Sequence, residues 1–171
     1  MRKDHREAGE ADCVSEVRGF PQLCTGAPQP RIVSNEHKLF LIYYTAEPIA
    51  PPALLRRRSK NSRVIAVVAF DHFLSFKFGS PNDEALAGHP LYSKGLSFYG
   101  IFHVKNSTWI DEVKRINSVH PSFDARYYEQ FQHFIFAFHD STFECIAEDM
   151  SFETKSGSLR TAMNECVKLL I

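Results

Sequence analysis

Excess charge of either sign is missing from this chain: twenty lysines and arginines meet twenty aspartates and glutamates, for a formal net charge of zero. Without a positive surplus there is no global attraction to nucleic acid or anionic lipid, so any such binding must be local. Long apolar runs are missing too. The longest, Val64 to Phe70, falls far short of the roughly 20 residues a membrane-spanning helix needs. No membrane partner is therefore expected. The stretch MRKDHREAGEADC mixes charges of both signs without an apolar block, which argues against a secretory signal and makes the cytoplasm the expected setting. Cysteine is sparse. Cys13, Cys24, Cys145 and Cys166 show no CxxC spacing, and free thiols are expected. Also absent are a GxGxxG after a strand, a Walker loop, an HExxH helix and a GxSxG elbow, so dinucleotide, P-loop, zinc-protease and hydrolase chemistries have no sequence support.

Aromatic and aliphatic material is abundant: 15 phenylalanines and 44% hydrophobic residues in 171 suit one domain with a sizeable core. Residues 1–36 mix charge with Gly and Pro and show no sustained period, which reads as a peripheral arm ahead of a single domain over 37–171. HKLFLIYYT (37–45) reads as a first strand, followed by a proline-rich connection. Val64 to Phe70 and Phe73 to Phe78 read as a hairpin, with Val67 facing Phe76. SPNDEALAGHP carries the punctuation of a short helix capped by Ser80. Leu96 to Val104 reads as a strand in which Gly100 marks a bulge or a close backbone approach. Helices are expected from Thr108 to the His120-Pro121 stop, from Asp124 to about Gln132, and from Leu159 to Leu170.

The most explicit register comes from HFIFAFHDSTFECIAEDM (133–150). A turn at Asp140 and Ser141 pairs Phe138 with Phe143, Phe136 with Cys145 and Phe134 with Ala147 on one apolar face. The opposite face carries His133, Ile135, Ala137 and His139 against Glu148, Ile146, Glu144 and Thr142. The sum is an α+β fold: a mainly antiparallel sheet of about five or six strands, with two or three helices on one face. The Trp109 and Leu159 helices are expected to cover the apolar hairpin face.

In that register His139 has Asp140 beside it and Glu144 diagonally across, an arrangement suited to proton transfer or half of a metal site. His133 and His139 are about 20 Å apart along one strand and cannot share a metal ion. Cys145 faces the apolar side and should be an inert thiol. His89 and Tyr92 lie on an irregular segment, where binding side chains are commonly displayed, Asp83 and Glu84 stand in the first turn of the short helix before it, and Trp109 can add an aromatic wall.

Two functional readings follow. The first is a soluble binding domain that recognises a protein or small ligand through loop 80–94 and the polar hairpin face, with Asp83, Glu84, Tyr92 and Trp109 as contacts. The second is a small-molecule enzyme that uses His139, Glu144 and His89 in acid/base or metal-assisted chemistry. Arg56, Arg57, Arg58, Lys60 and Arg63 form the only basic run through which nucleic acid could be bound. No cofactor or metal is identified by the residues.

Overall fold

Two unbroken apolar runs, LFLIYY and VIAVVAF, set the architecture, because a strand apolar at every position must be covered on both faces. In the computed structural model, which describes residues 12–46 and 63–171, they become β3 (Leu39–Tyr44) and β4 (Val64–Asp71). With β2 (Arg31–Ser34) and β9 (Asp149–Ser156) they form a four-stranded antiparallel sheet ordered β2-β3-β4-β9. One face of β3 and β4 offers Leu39, Leu41, Tyr43, Ala66, Val68 and Phe70 to the main core. The other offers Ile42, Ile65 and Val67 to α2 (Leu159–Leu169), which buries Leu159, Ala162 and Cys166 against them. Ser158 caps that helix by accepting from the Thr161 N–H at 3.1 Å.

The second sheet is ordered β1-β6-β7-β8-β5. Its strands are β1 (Cys13–Glu16), β6 (Ile101–Lys105), β7 (Gln132–Ala137), β8 (Thr142–Ala147) and β5 (Ser75–Gly79). Phe134, Phe136, Phe143 and Cys145 project from it into the core shared with β3 and β4. Phe136 is fully buried, with ring centroids 6.1 Å from Tyr43 and 6.0 Å from Phe70. Burying a side chain of this size contributes about 2–3 kcal/mol each.

The α+β class is as expected, with antiparallel pairing throughout the described strands. The arrangement differs from the sequence reading in four respects. There are two sheets face to face, and it is the four-stranded sheet, not the helices, that covers the apolar hairpin face. The helices lie outside: α2 on the four-stranded sheet, and α1 (Thr108–Asn117) against the outer face of β7. β4 and β5 are not a hairpin, since β4 pairs with β3 and β9 while β5 crosses over to pair with β8. Residues 12–36, read as part of the arm, supply an edge strand to each sheet, and Leu23 enters the core. Residues 1–11 of that arm, and Arg56, Arg57, Arg58 and Lys60 of the basic run, lie outside the described residues.

The outer face of the five-stranded sheet is covered by the connection between β5 and β6, where Leu86, Leu91 and Leu96 pack on Phe102, Val104, Ile135 and Ala137. The helix expected from Ser80 is only a 3-10 turn at Leu86–Gly88, with Asn82 accepting from the Ala85 N–H at 3.1 Å. A second such turn covers Tyr92–Lys94, and a third, Ala125–Gln130, is capped by Asp124 as expected. β6 begins later than anticipated, at Ile101. Gly100 just before it is a close approach, because a Cβ there would stand 2.6 Å from the Phe102 ring.

Candidate functional site

The β7–β8 hairpin turns one residue earlier than the sequence reading, and this decides which side chains meet. Phe138 N–H donates to the Ser141 carbonyl at 2.9 Å, so the turn is centred on His139 and Asp140. The pairs are Ala137 with Thr142, Phe136 with Phe143, Ile135 with Glu144, Phe134 with Cys145 and His133 with Ile146. Moving the turn by one residue slides the partners by two, so every side chain keeps its face while its neighbours change. Contacts with the preceding loop hold the turn there. Asp83 N–H donates to the His139 carbonyl at 2.9 Å, and Thr142 Oγ1 donates to the Pro81 carbonyl at 2.9 Å.

His139 and Glu144, expected to face one another, are consequently separated. His139 Nδ1 lies 2.6 Å from Asp83 Oδ2, which also accepts from the Tyr99 hydroxyl. The bond from Tyr99, then that from His139, holds the Asp83 carboxyl below its ordinary range. The same bond raises Tyr99, and Asp83 raises His139. This cluster stitches the start of the long loop to the hairpin turn. Tyr99 joins it from a left-handed backbone, φ 55°, a conformation uncommon for a bulky residue.

Glu144 instead meets His133 and His89. His133 Nε2 is 3.0 Å from Glu144 Oε2, and His89 Nε2 is 3.7 Å from Oε1. Lys77, its cross-strand partner on β5, places Nζ 3.9 Å from Oε1. Both imidazoles are anchored behind. The Leu91 N–H donates to His89 Nδ1 at 3.2 Å, which fixes the His89 proton on Nε2, facing the carboxylate. His133 Nδ1 is 2.9 Å from Ser107 Oγ, and that oxygen accepts from the Ile110 N–H at 3.3 Å as the N-cap of α1. Because the ionised Glu144 can only accept, His133 presents Nε2–H to it, and in the neutral ring Nδ1 is then the acceptor for the Ser107 hydroxyl. Burial alone would raise the Glu144 carboxyl, but the hydrogen bond from His133, the nearby His89 ring and the charge of Lys77 outweigh it and leave it far below the usual range. With 12% of its side chain exposed, Glu144 is a standing anion on a mostly dry floor.

Above that floor lies a cavity of about 370 Å³ whose walls include His89, Pro90 and Leu91 from the loop, Thr108, Trp109 and Glu112 from α1, and Asp12. The Trp109 ring stands edge-on to His133 at 5.0 Å and takes the Lys77 ammonium over its face at 3.8 Å. Asp12 closes one end, paired with Lys94 at 2.6 Å and accepting from the Thr108 N–H at 2.7 Å. Among the described residues no ion pair engages Glu112.

Of the residues singled out from the sequence, Glu144, His89 and Trp109 therefore share one cleft, while His139 and Asp83 form a separate cluster. Tyr92 is half-exposed and stacks edge-on with Phe98 at 6.0 Å, and Glu84 is exposed, so neither lines the cleft. Sequence reasoning paired His133 with Glu148; Glu148 binds His72 instead, at 3.0 Å. Lys77 and Asp12 were missed, because both reach the cleft only through long-range strand order. Cys145 is fully buried and its thiol is pushed up by burial, in keeping with a passive role. Arg63, the described end of the basic run, lies over the Tyr44 ring at 4.7 Å.

Among the described residues, no group of three or more His, Cys, Asp or Glu is disposed to hold a metal ion. No helix among them is long and apolar enough to cross a membrane. Comparison with protein-family models, with curated proteins and with solved structures returns no match.

Proposed function

We propose that this is a binding domain that takes a small ligand, or one side chain of a protein partner, in the cleft between loop 80–94 and the polar face of the β7–β8 hairpin. The observation that carries this reading is the preset floor: one carboxylate held by two oriented imidazoles, beneath a single tryptophan wall. The cleft volume of about 370 Å³ falls within the roughly 300–1,000 Å³ range of small-molecule sites, and few, fixed polar groups against an aromatic surface are what such sites use for orientation. Acid/base chemistry has less support. Glu144 is too weak a base to take a proton near neutrality, and His139 is engaged by Asp83 outside the cleft. The four free cysteines accord with a reducing, cytoplasmic setting.

The test is a fragment library screened by amide and indole NMR shifts on the whole chain. Saturable perturbations gathered on His89–Leu91, Thr108–Glu112 and Glu144 are expected. Hits confined to the cavity between α2 and β9, or to the one beside Arg31 and Arg160, would overturn the assignment.

A further inference from the structure

Lys77 behaves in this cleft as a ligand would. Its ammonium sits over the aromatic face of Trp109 and within ion-pair distance of Glu144, yet about half of its side chain is exposed, so it rests at the mouth of the cleft without plugging it. An aromatic face and a fixed carboxylate are the two elements that recognise organic cations, the ring quadrupole supplying one and full charge the other. His133 and His89 both point N–H at Glu144, so the anion persists whether or not Lys77 is present. Asp12 is balanced by Lys94, whereas Glu112 at the rim faces no partner among the described residues. An anionic ligand would meet Glu144 and Glu112 together, and a neutral one would leave the carboxylate's charge unused.

Resting on the binding reading above, we infer that the ligand is an organic cation, an alkylammonium or guanidinium group, which displaces Lys77 from between Trp109 and Glu144. Lys77 then serves as a built-in competitor. Because it is tethered, its local concentration is high, on the order of millimolar or above, and it sets a threshold that an incoming cation must exceed. Lys77 lies on an edge strand and reaches across to Glu144 on the neighbouring strand, so it can swing into solvent without disturbing the sheet.

Trp109 is the only tryptophan in the chain, so intrinsic fluorescence reports on this site alone. Wild type and Lys77→Met are titrated at constant ionic strength with n-butylammonium, n-butylguanidinium, the neutral 1-pentanol and the anion butyrate. The expected result is a saturable change with at least one cation, strengthened tenfold or more in Lys77→Met, with the alcohol and the anion at least tenfold weaker. Glu144→Gln in the Lys77→Met background should remove that preference. Should the double variant not fold, the ranking of cation against alcohol in wild type and in Lys77→Met still decides the matter. A cleft that takes pentanol or butyrate as well as the cations overturns the cation assignment and leaves the binding reading standing. Refusal of every probe by both proteins, together with a fragment screen that finds nothing in the cleft, removes both. A serine/glycine heptapeptide with one lysine separates the sources of the cation. Binding tenfold tighter than n-butylammonium, and lost on lysine acetylation, assigns a peptide side chain; equal binding assigns a free amine.

Discussion

Two histidine–carboxylate pairs flank one strand of this protein, and they differ in what they are for. His133 with Glu144 is enclosed: only 3% of the His133 side chain is exposed, a serine orients the ring from behind, and the carboxylate floors a cleft. His139 with Asp83 lies at the hairpin turn, 41% of its side chain is exposed, and its partner belongs to the loop that walls the cleft. Equal chemistry in unequal dielectric gives unequal consequences. The enclosed pair fixes charge state and orientation, which suits recognition, whereas the open pair fastens a loop and is screened by water.

Removing the carboxylate from the enclosed pair should have the largest effect. Glu144→Ala leaves the buried His133 N–H without its acceptor and His89 without its neighbouring carboxylate, and is expected to cost about 3 kcal/mol by urea denaturation, as breaking a largely buried pair does. Glu144→Gln, which keeps an acceptor oxygen, should cost distinctly less. A loss in Glu144→Ala no greater than in Asp83→Ala would erase the distinction between the two pairs.

Ser107 should come next. Its Oγ both caps α1 and bonds His133 Nδ1, so Ser107→Ala is expected to cost about 1–2 kcal/mol, the upper range for an N-cap. Ser107→Thr retains the hydroxyl and should recover most of that. Orientation of His133 is the sharper readout: in Ser107→Ala the imidazole nitrogen shifts should depart from the single tautomer of wild type. An unchanged tautomer would mean that Glu144 alone holds the ring.

Acid response provides a third distinction. The Glu144 carboxyl is depressed by His133, His89 and Lys77 against the opposing effect of burial, so its contribution to stability is complete above the ordinary glutamate range. It is lost progressively as pH falls through and below that range, where the unfolded chain takes up the proton first. Glu144→Gln should flatten the corresponding part of the acid denaturation curve. An identical curve in wild type and variant would place the acid sensitivity elsewhere.

Much of the fold could be read from alternation alone. Phe134, Phe136, Phe143 and Cys145 project to one side as expected, because face assignment depends only on parity and survives a slide of two residues. Neighbour identity does not survive it. The slide moved Glu144 from His139 to His133, and nothing local in HFIFAFHDSTFECIA chooses between turns centred one residue apart. The choice is made by Asp83, Pro81 and Thr142, contacts that span about sixty positions of sequence. Strand order was illegible for a similar reason: VIAVVAF and FLSFKF lie next to one another yet join different sheets. The continuous apolar runs of β3 and β4 did carry a signal for a second covering layer, since strands apolar on both faces need two.

The open pair supplies the smallest effect and the most specific sign. His139 is raised by Asp83, so its share of the pair's stabilisation is complete below the ordinary histidine range and fades as pH rises through the raised value. Asp83, lowered by Tyr99 and His139, keeps its share above the ordinary aspartate range and loses it as pH falls through the lowered value. Loop 80–94 should therefore be fastened most firmly across mildly acidic to neutral pH and loosen toward alkaline pH. Hydrogen exchange at the Asp83 amide, which donates to the His139 carbonyl, reads this directly once corrected for intrinsic base catalysis. Protection should decline above the His139 titration in wild type, and Asp83→Asn should return the His139 imidazole toward its ordinary titration range while global stability changes little. If Asp83→Asn left that titration where it was, the charge raising His139 would have to come from Asp140, whose carboxylate lies 3.9 Å from Nε2, together with Glu84, and the loop fastening would not depend on the pair.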